Sequence, residues 1–238
     1  MSTAALAVHR RPAYEIKPRG CPRLVMALLS VSDVLLAMRT AGAGATDGEV
    51  RRECLRYSLR EVGEAKVAYL DLQGKGLNSH LPRTRHRTIA GVYFGRIHEP
   101  TVDERFAALE SVEVEDNGAA ERWRVRLPDG RQVTLEEQGE QTVEQALQQA
   151  RRSSQSGAYV ELHTVLESLR QAVVRLDDRP LTPDALAGRG WDTLFNVKDT
   201  LLLSIVFMEM QSGGQEAMAE AAQDVLVPLV RESGGSGS

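Results

Sequence analysis

The residues whose types carry chemistry are two cysteines, five histidines and several adjacent acids, and their spacing argues against most of what such residues do. Cys21 and Cys54 share no CxxC spacing, and His9, His80, His86, His98 and His163 form neither HExxH nor HxH, so no metal site is expected. His80 and His86 stand in a basic run and read as solvent-exposed. Two cysteines without a pairing motif fit a reducing compartment. Asp177-Asp178 and Glu136-Glu137 are neighbours, so a strand or helix points their side chains apart, and they read as solvated loop or hairpin residues. GxSxG, a phosphate-binding GxxxxGK and GxGxxG are all absent, and Gly74-Lys-Gly76 is too short to cradle a phosphate and reads as a turn. The expectation is a protein without catalytic machinery and without a cofactor.

Something must still position these residues, and composition says what kind of element it is. With 42% hydrophobic and 26% charged residues the chain sits near the soluble globular average, which sets aside disorder, collagen and extended coiled coil. Aromatics are only 5% against an abundance of Ala, Leu, Val and Gln, a mixture that favours amphipathic helices over a β-sandwich. The 238 residues make one large domain or two ordinary ones. Charge is uneven: residues 1–100 hold 16 Lys and Arg against 9 Asp and Glu, and the remainder 13 against 24. Opposite signs in the two halves suit electrostatic attraction between halves or between copies, or simply a solvated surface. A nucleic-acid-binding half is disfavoured because the basic residues are scattered and lack interleaved aromatics.

The N-terminus imitates a signal peptide, with a basic stretch from His9 to Arg23 ahead of an apolar run from Leu24 to Met38. Asp33 interrupts that run below the ~18 apolar residues a membrane span needs, so the expectation is an amphipathic helix with Ser30 or Ser32 near its N-cap and no membrane segment. Residues 1–25 read as a flexible extension, with Met26 an alternative natural start, and residues 233–238 as a Gly/Ser tail without function.

Helical spacing returns over residues 49–64 and 83–98, the latter with Ile89, Val92, Tyr93, Arg96 and Ile97 on one stripe and ended by Pro100. Val67, Tyr69 and Leu70 suit a short strand or an irregular run into a turn at 73–76. Thr101 and Glu104 make a capping box for a short helix through Leu109. Alternation from Trp123 to Leu127, the turn Pro128-Asp129-Gly130 and the return through Val133 and Leu135 predict a β-hairpin, with Asp129 as turn former. Helices follow from Thr142 to Arg152, Ala158 to Leu176, Asn196 to Met210 and Gln215 to Val230, the last disturbed by Pro228. Nothing between Asp199 and Glu209 is charged, so that helix is buried on more than one side, inside the domain or against another protein. The fold class is therefore mainly α (α+β), bundle-like, with a hairpin near 121–136. The domains are a helical one at 26–116 and a hairpin-plus-helix one at 120–232.

Two stretches follow one plan: a helix, a connection and an apolar helix, at 53–94 and again at 161–207. A duplication and a chance likeness between two helical hairpins both remain open.

The run Leu127-Pro-Asp-Gly-Arg131, then Ala146 to Ala150, Leu166 to Val174, Leu176-Asp-Asp-Arg-Pro-Leu181 and Lys198-Asp-Thr-Leu-Leu-Leu to Met208-Glu-Met210 resembles the tail assembly chaperones and baseplate assembly proteins of tailed bacteriophages and phage-like contractile particles. The likeness covers residues 125–215 best and 50–110 weakly, and Asp178-Arg179 departs from it where a glycine is common. It implies a non-enzymatic factor in the bacterial cytoplasm that covers tail or baseplate subunits before they polymerise, or else a structural component retained in the particle. Its partners would be other tail or baseplate proteins, with self-association open. A nucleic-acid module acting through Arg83-Thr-Arg-His-Arg87 is a third class. A basic cluster at a helix start opposes the helix dipole, and the acidic segment 110–115 is the expected answer to it. Phe207 and Met210 are the candidate partner-binding residues, with Tyr93 and Phe94 next.

Overall fold

The computed structural model describes residues 13–93, 98–116, 121–153 and 157–212. Two small antiparallel sheets, each backed by helices, share one continuous apolar core. The first sheet has the order β1-β2-β3-β4, built from Ala13–Ile16, Leu24–Ala27, Leu59–Val62 and Ala65–Lys66. The second has the order β5-β6-β7-β8-β9, built from Glu113–Asp116, Glu121–Arg126, Gln132–Glu136, Val173–Leu176 and Arg179–Pro180. Between β2 and β3 run the helices α1 (Val31–Ala41) and α2 (Asp47–Ser58); between β7 and β8 run α6 (Glu140–Ser153) and α7 (Gly157–Ala172). After β4 come a 3-10 turn (Tyr69–Leu72), α3 (Gly76–His80), α4 (Arg83–Tyr93) and α5 (Val102–Glu110); after β9 come α8 (Pro183–Leu186), α9 (Gly190–Leu194) and α10 (Val197–Ser212).

This is one unit built twice. Tyr14 pairs with Met26 and Ile16 with Leu24, just as Trp123 pairs with Leu135 and Val125 with Val133, positions 109 apart in the chain. Both sheets break register at the same place, between Val25 and Met26 and between Thr134 and Leu135. Beyond the helical hairpin the spacing becomes 114. Gly63 and Asp177 then occupy the same left-handed turn at φ 63° and 50°, and Gly74 and Gly188 the same helix stop at φ 55° and 56°. Leu77 and Trp191, Leu81 and Phe195, Ile89 and Leu203 are buried equivalents. The apolar pattern alone left duplication and chance open, and this shared register and turn geometry favours duplication.

Several local expectations hold for physical reasons. Ser30 caps α1 and exchanges hydrogen bonds with Asp33, Thr101 does the same with Glu104 for α5, and Asn196 and Asp199 cap α10 reciprocally. The hairpin is β6–β7, with Gly130 at φ 91° in its turn.

Others are corrected. Residues 13–25 are no extension: β1 and the start of β2 lie among them, and Leu24 is fully buried opposite Val62. The expected helices over 49–64 and 158–176 stop at Ser58 and Ala172. The next four residues are strands β3 and β8 that pair with β2 and β7, and Leu55-Leu59 and Leu169-Val173 keep a four-residue spacing across the change, which hides it. Residues 69–72 form the 3-10 turn rather than a strand, and α6 begins at Glu140 rather than Thr142. The boundary at 116–120 also moves, because β5 belongs to the second sheet. The segment from Phe94 to Ile97, the expected helix over 215–230 and the terminal tail lie outside the described residues.

Candidate interaction surface

The segment that joins the two repeats, α5 and then β5, has no counterpart among the described residues of the first repeat. Its capping box fixes where α5 starts, and the Lys198 Nζ contact with Glu104 Oε1 at 2.9 Å pins it to α10. Both the Thr101 hydrogen bonds and Lys198 hold the Glu104 carboxyl below its ordinary range against the cost of burial. Ala108 is buried and Leu109 packs against the core, which leaves Val102 and Phe106, one turn apart, facing outward at 63% and 61% exposure. Val114 on β5 is 57% exposed beside its pair Trp123. Asp103 and Glu110 on α5 and Glu113 on β5, near these apolar residues in the chain, are also exposed. A half-open cleft of about 260 Å³ lies between the end of α5 and the β5–β6 pair, lined by Glu110, Val112, Glu113 and Arg126 among others. Two of its lining residues are joined by the Arg126 N–H, which donates to Ser111 Oγ at 3.0 Å.

Charge elsewhere is committed to architecture. Arg124 bridges Glu113 at 3.4 Å and also Glu115, so these acids answer β6 and not the basic start of α4 as expected. Arg131 gathers Asp129, the Leu194 carbonyl and Asp199, with its guanidinium 5.8 Å over the Phe195 ring, and thereby ties the hairpin turn to the cap of α10. Burial pushes the Asp199 carboxyl up, but the Asn196 N–H and Arg131 oppose it, and the two acids hold Arg131 charged. Asp177 accepts from the Gln132 N–H at 2.9 Å and Glu136 pairs with Arg122 at 2.7 Å, so one acid of each adjacent pair is tied to strands β6 and β7. Burial pushes the Cys54 thiol up to about 12, which keeps it uncharged near neutral pH. Among the described residues no three His, Cys, Asp or Glu side chains are placed to hold a metal ion, and no helix is long and apolar enough to cross a membrane.

The partner-binding residues expected from sequence are interior. Tyr93 is fully buried and donates its hydroxyl to the Ala27 carbonyl, and Phe207 and Met210 are 6% and 4% exposed within the core. Tyr93 and Phe207, 114 residues apart, are the same position of the two repeats. α10 has no second free stripe, because every residue from Leu201 to Phe207 is buried. Phe94 lies outside the described residues. His86 is also corrected: it is 6% exposed, and its Nε2 lies 3.1 Å from the Leu81 carbonyl. The surface that sequence reasoning missed had a signal in the four-residue spacing of Val102 and Phe106 within an acidic helix.

No protein-family model matches the chain, nor does any curated protein or solved structure.

Proposed function

We propose that this protein is a non-enzymatic interaction factor in the assembly of a phage or phage-like tail, acting as a chaperone for tail or baseplate subunits. The observation that carries the reading is the exposed pair Val102 and Phe106 on the linking helix, which also exposes Asp103 and Glu110 and is joined to α10 by the Glu104–Lys198 contact. An apolar centre with a charged rim, fixed on a helix, is the anatomy of a protein-docking patch. The sequence likeness over residues 125–215 supplies the class of client, and subunits awaiting polymerisation expose the edges and apolar surface such a patch would cover. The site of action is then the bacterial cytoplasm.

A second reading, a component retained in the finished particle, is favoured by two sheet edges, β1 and β5, that no strand covers among the described residues. Co-purification from cells making the whole particle tests both. Val102→Ser with Phe106→Ser is expected to keep the fold and lose tail or baseplate proteins from the pull-down; undiminished capture by the double variant refutes the patch. Purified particles that contain this chain select the second reading. Steeply salt-dependent binding to DNA through the exposed Arg83 and Arg85 would instead select a nucleic-acid module.

A further inference from the structure

We infer that the outer edge of β1 receives the outer edge of β5 from a second copy of this chain, so that the two kinds of edge assemble copies head to tail.

The duplication says what belongs beside β1. In the second sheet β5 runs antiparallel along β6, with Val114 opposite Trp123 and Glu115 opposite Arg122. β1 is the counterpart of β6, since Tyr14 and Trp123 oppose the equivalent residues Met26 and Leu135. The side of β1 that corresponds to the β5-bearing side of β6 carries no strand among the described residues. Among the described residues the first sheet thus has one strand fewer than the second, at a position its twin fills with β5.

The edges also differ in how they are guarded. β4 and β9 are two residues long, and β9 ends in Pro180, so both are poor templates for another strand. β1 and β5 are four residues long, and each exposes one large apolar side chain, Tyr14 at 40% and Val114 at 57%. Both belong to rows that lead inward to fully buried residues, Met26 and Leu135. Pairing β1 with β5 of another copy places these two exposed side chains on one face of a continuous nine-stranded sheet.

Charge selects the unlike edge over the like one. Glu110 is exposed just before β5, and Glu113, the first residue of β5, stays exposed although Arg124 reaches it at 3.4 Å; Lys17 and Arg19 are exposed just after β1, while Glu15 is held by Arg23 at 2.9 Å. A β5–β5 contact would bring acids together, whereas β1–β5 brings acid to base. The contact joins two different patches, so it does not close on itself at two copies unless the rotation allows a ring. Two short strands bury less than the ~1,200 Å² of a permanent interface, so association follows concentration and weakens with salt.

The test is sedimentation velocity on the full chain from low to high micromolar protein, at low and high salt, with circular-dichroism melts as the folding control. Wild type is expected to grow beyond monomer with concentration. Tyr14→Lys, which blocks β1, and Val114→Lys, which blocks β5, are each expected to remain monomeric with unchanged melting. Mixed in equal amounts they should form a heterodimer and nothing larger, because each contributes the edge the other lacks. A monomeric wild type overturns the proposal. A mixture that stays monomeric while wild type associates overturns it too, since one intact β1 edge and one intact β5 edge would then not make the contact; self-association of either variant alone would mean a contact between like edges and overturns it as well. If a lysine variant melts early, Tyr14→Asn and Val114→Asn, which disfavour strand pairing without adding charge, replace the pair and are held to the same outcomes.

Discussion

Arg56 and Arg170, 114 residues apart, perform one task twice. Each pairs with the glutamate three residues before it, Glu53 or Glu167, and each reaches the carbonyl of the glycine 18 residues after it, Gly74 at 3.2 Å and Gly188 at 2.6 Å. The arginine therefore fastens the second helix of the repeat to the point where the chain turns into the next short helix. Arg170→Ala strands Glu167, whose side chain is 14% exposed, beside His163 alone and leaves the Gly188 carbonyl without its donor. Removing one partner of a buried pair costs about 3 kcal/mol, and urea denaturation should show that loss for Arg170→Ala and a comparable one for Arg56→Ala. A loss below ~1 kcal/mol at both positions would mean that solvent replaces the clamp.

That clamp also shows what the sequence could and could not reveal. Glu-x-x-Arg recurs with its glycine at the same distance, so the repeat was written in identities as well as in pattern. The hairpin, the Thr101–Glu104 capping box and a cap at Ser30 were legible because turn and cap residues act through their immediate neighbours. The strands β1, β3 and β8 were not, since a four-residue strand against a longer helix has no period of its own. The candidate site was misplaced for a related reason: a helix rich in Leu, Phe and Met looks equally ready for a core or a partner. Only the packing of α10 against α5 and α7 decided between them.

Gly76 and Gly190 are a second repeated requirement with a direct test. A Cβ on either would lie 2.0 Å from a backbone oxygen, that of Asp71 or Ala185, so the short helix after the turn can approach the preceding carbonyl only with glycine there. Gly76→Ala and Gly190→Ala are each expected to lose more than ~2 kcal/mol. Gly91, inside α4 with open space around it, provides the opposite sign: Gly91→Ala should gain about 0.5–1 kcal/mol. Equal melting temperatures for Gly91→Ala and Gly190→Ala would contradict both packing arguments.

His98 makes stability fall with acid. Burial first, and the Lys198 charge second, lower its pKa from 6.5 to about 4, while its ring meets Tyr93 edge-on at 4.7 Å. Between those pH values the unfolded chain binds a proton that the folded chain refuses, so stability present at neutral pH is lost as pH drops through the window, by about 3 kcal/mol at most. Burial of His86 acts in the same sense. The raised carboxyls of Glu99 and Glu209 act oppositely, since the folded state keeps their protons longer as pH rises. Urea midpoints measured from pH 7 to pH 4.5 should decline for wild type and decline less for His98→Asn. Parallel slopes for the two proteins would remove His98 as the cause.

The surface and the core of the second repeat differ in what serine substitution does, and that difference separates a binding defect from a folding defect. Phe207 packs in the core at the position Tyr93 holds in the first repeat, and Met210 follows one turn on. Phe207→Ser with Met210→Ser removes most of two buried side chains and should cost more than ~4 kcal/mol, enough to give insoluble protein. Val102→Ser with Phe106→Ser removes side chains already more than half in water and should shift the melting midpoint by only a few degrees. A soluble, cooperatively melting Phe207/Met210 variant would place those residues at a partner surface instead, and an unfolded Val102/Phe106 variant would mean that α5 is held on the protein by the very side chains assigned here to a partner.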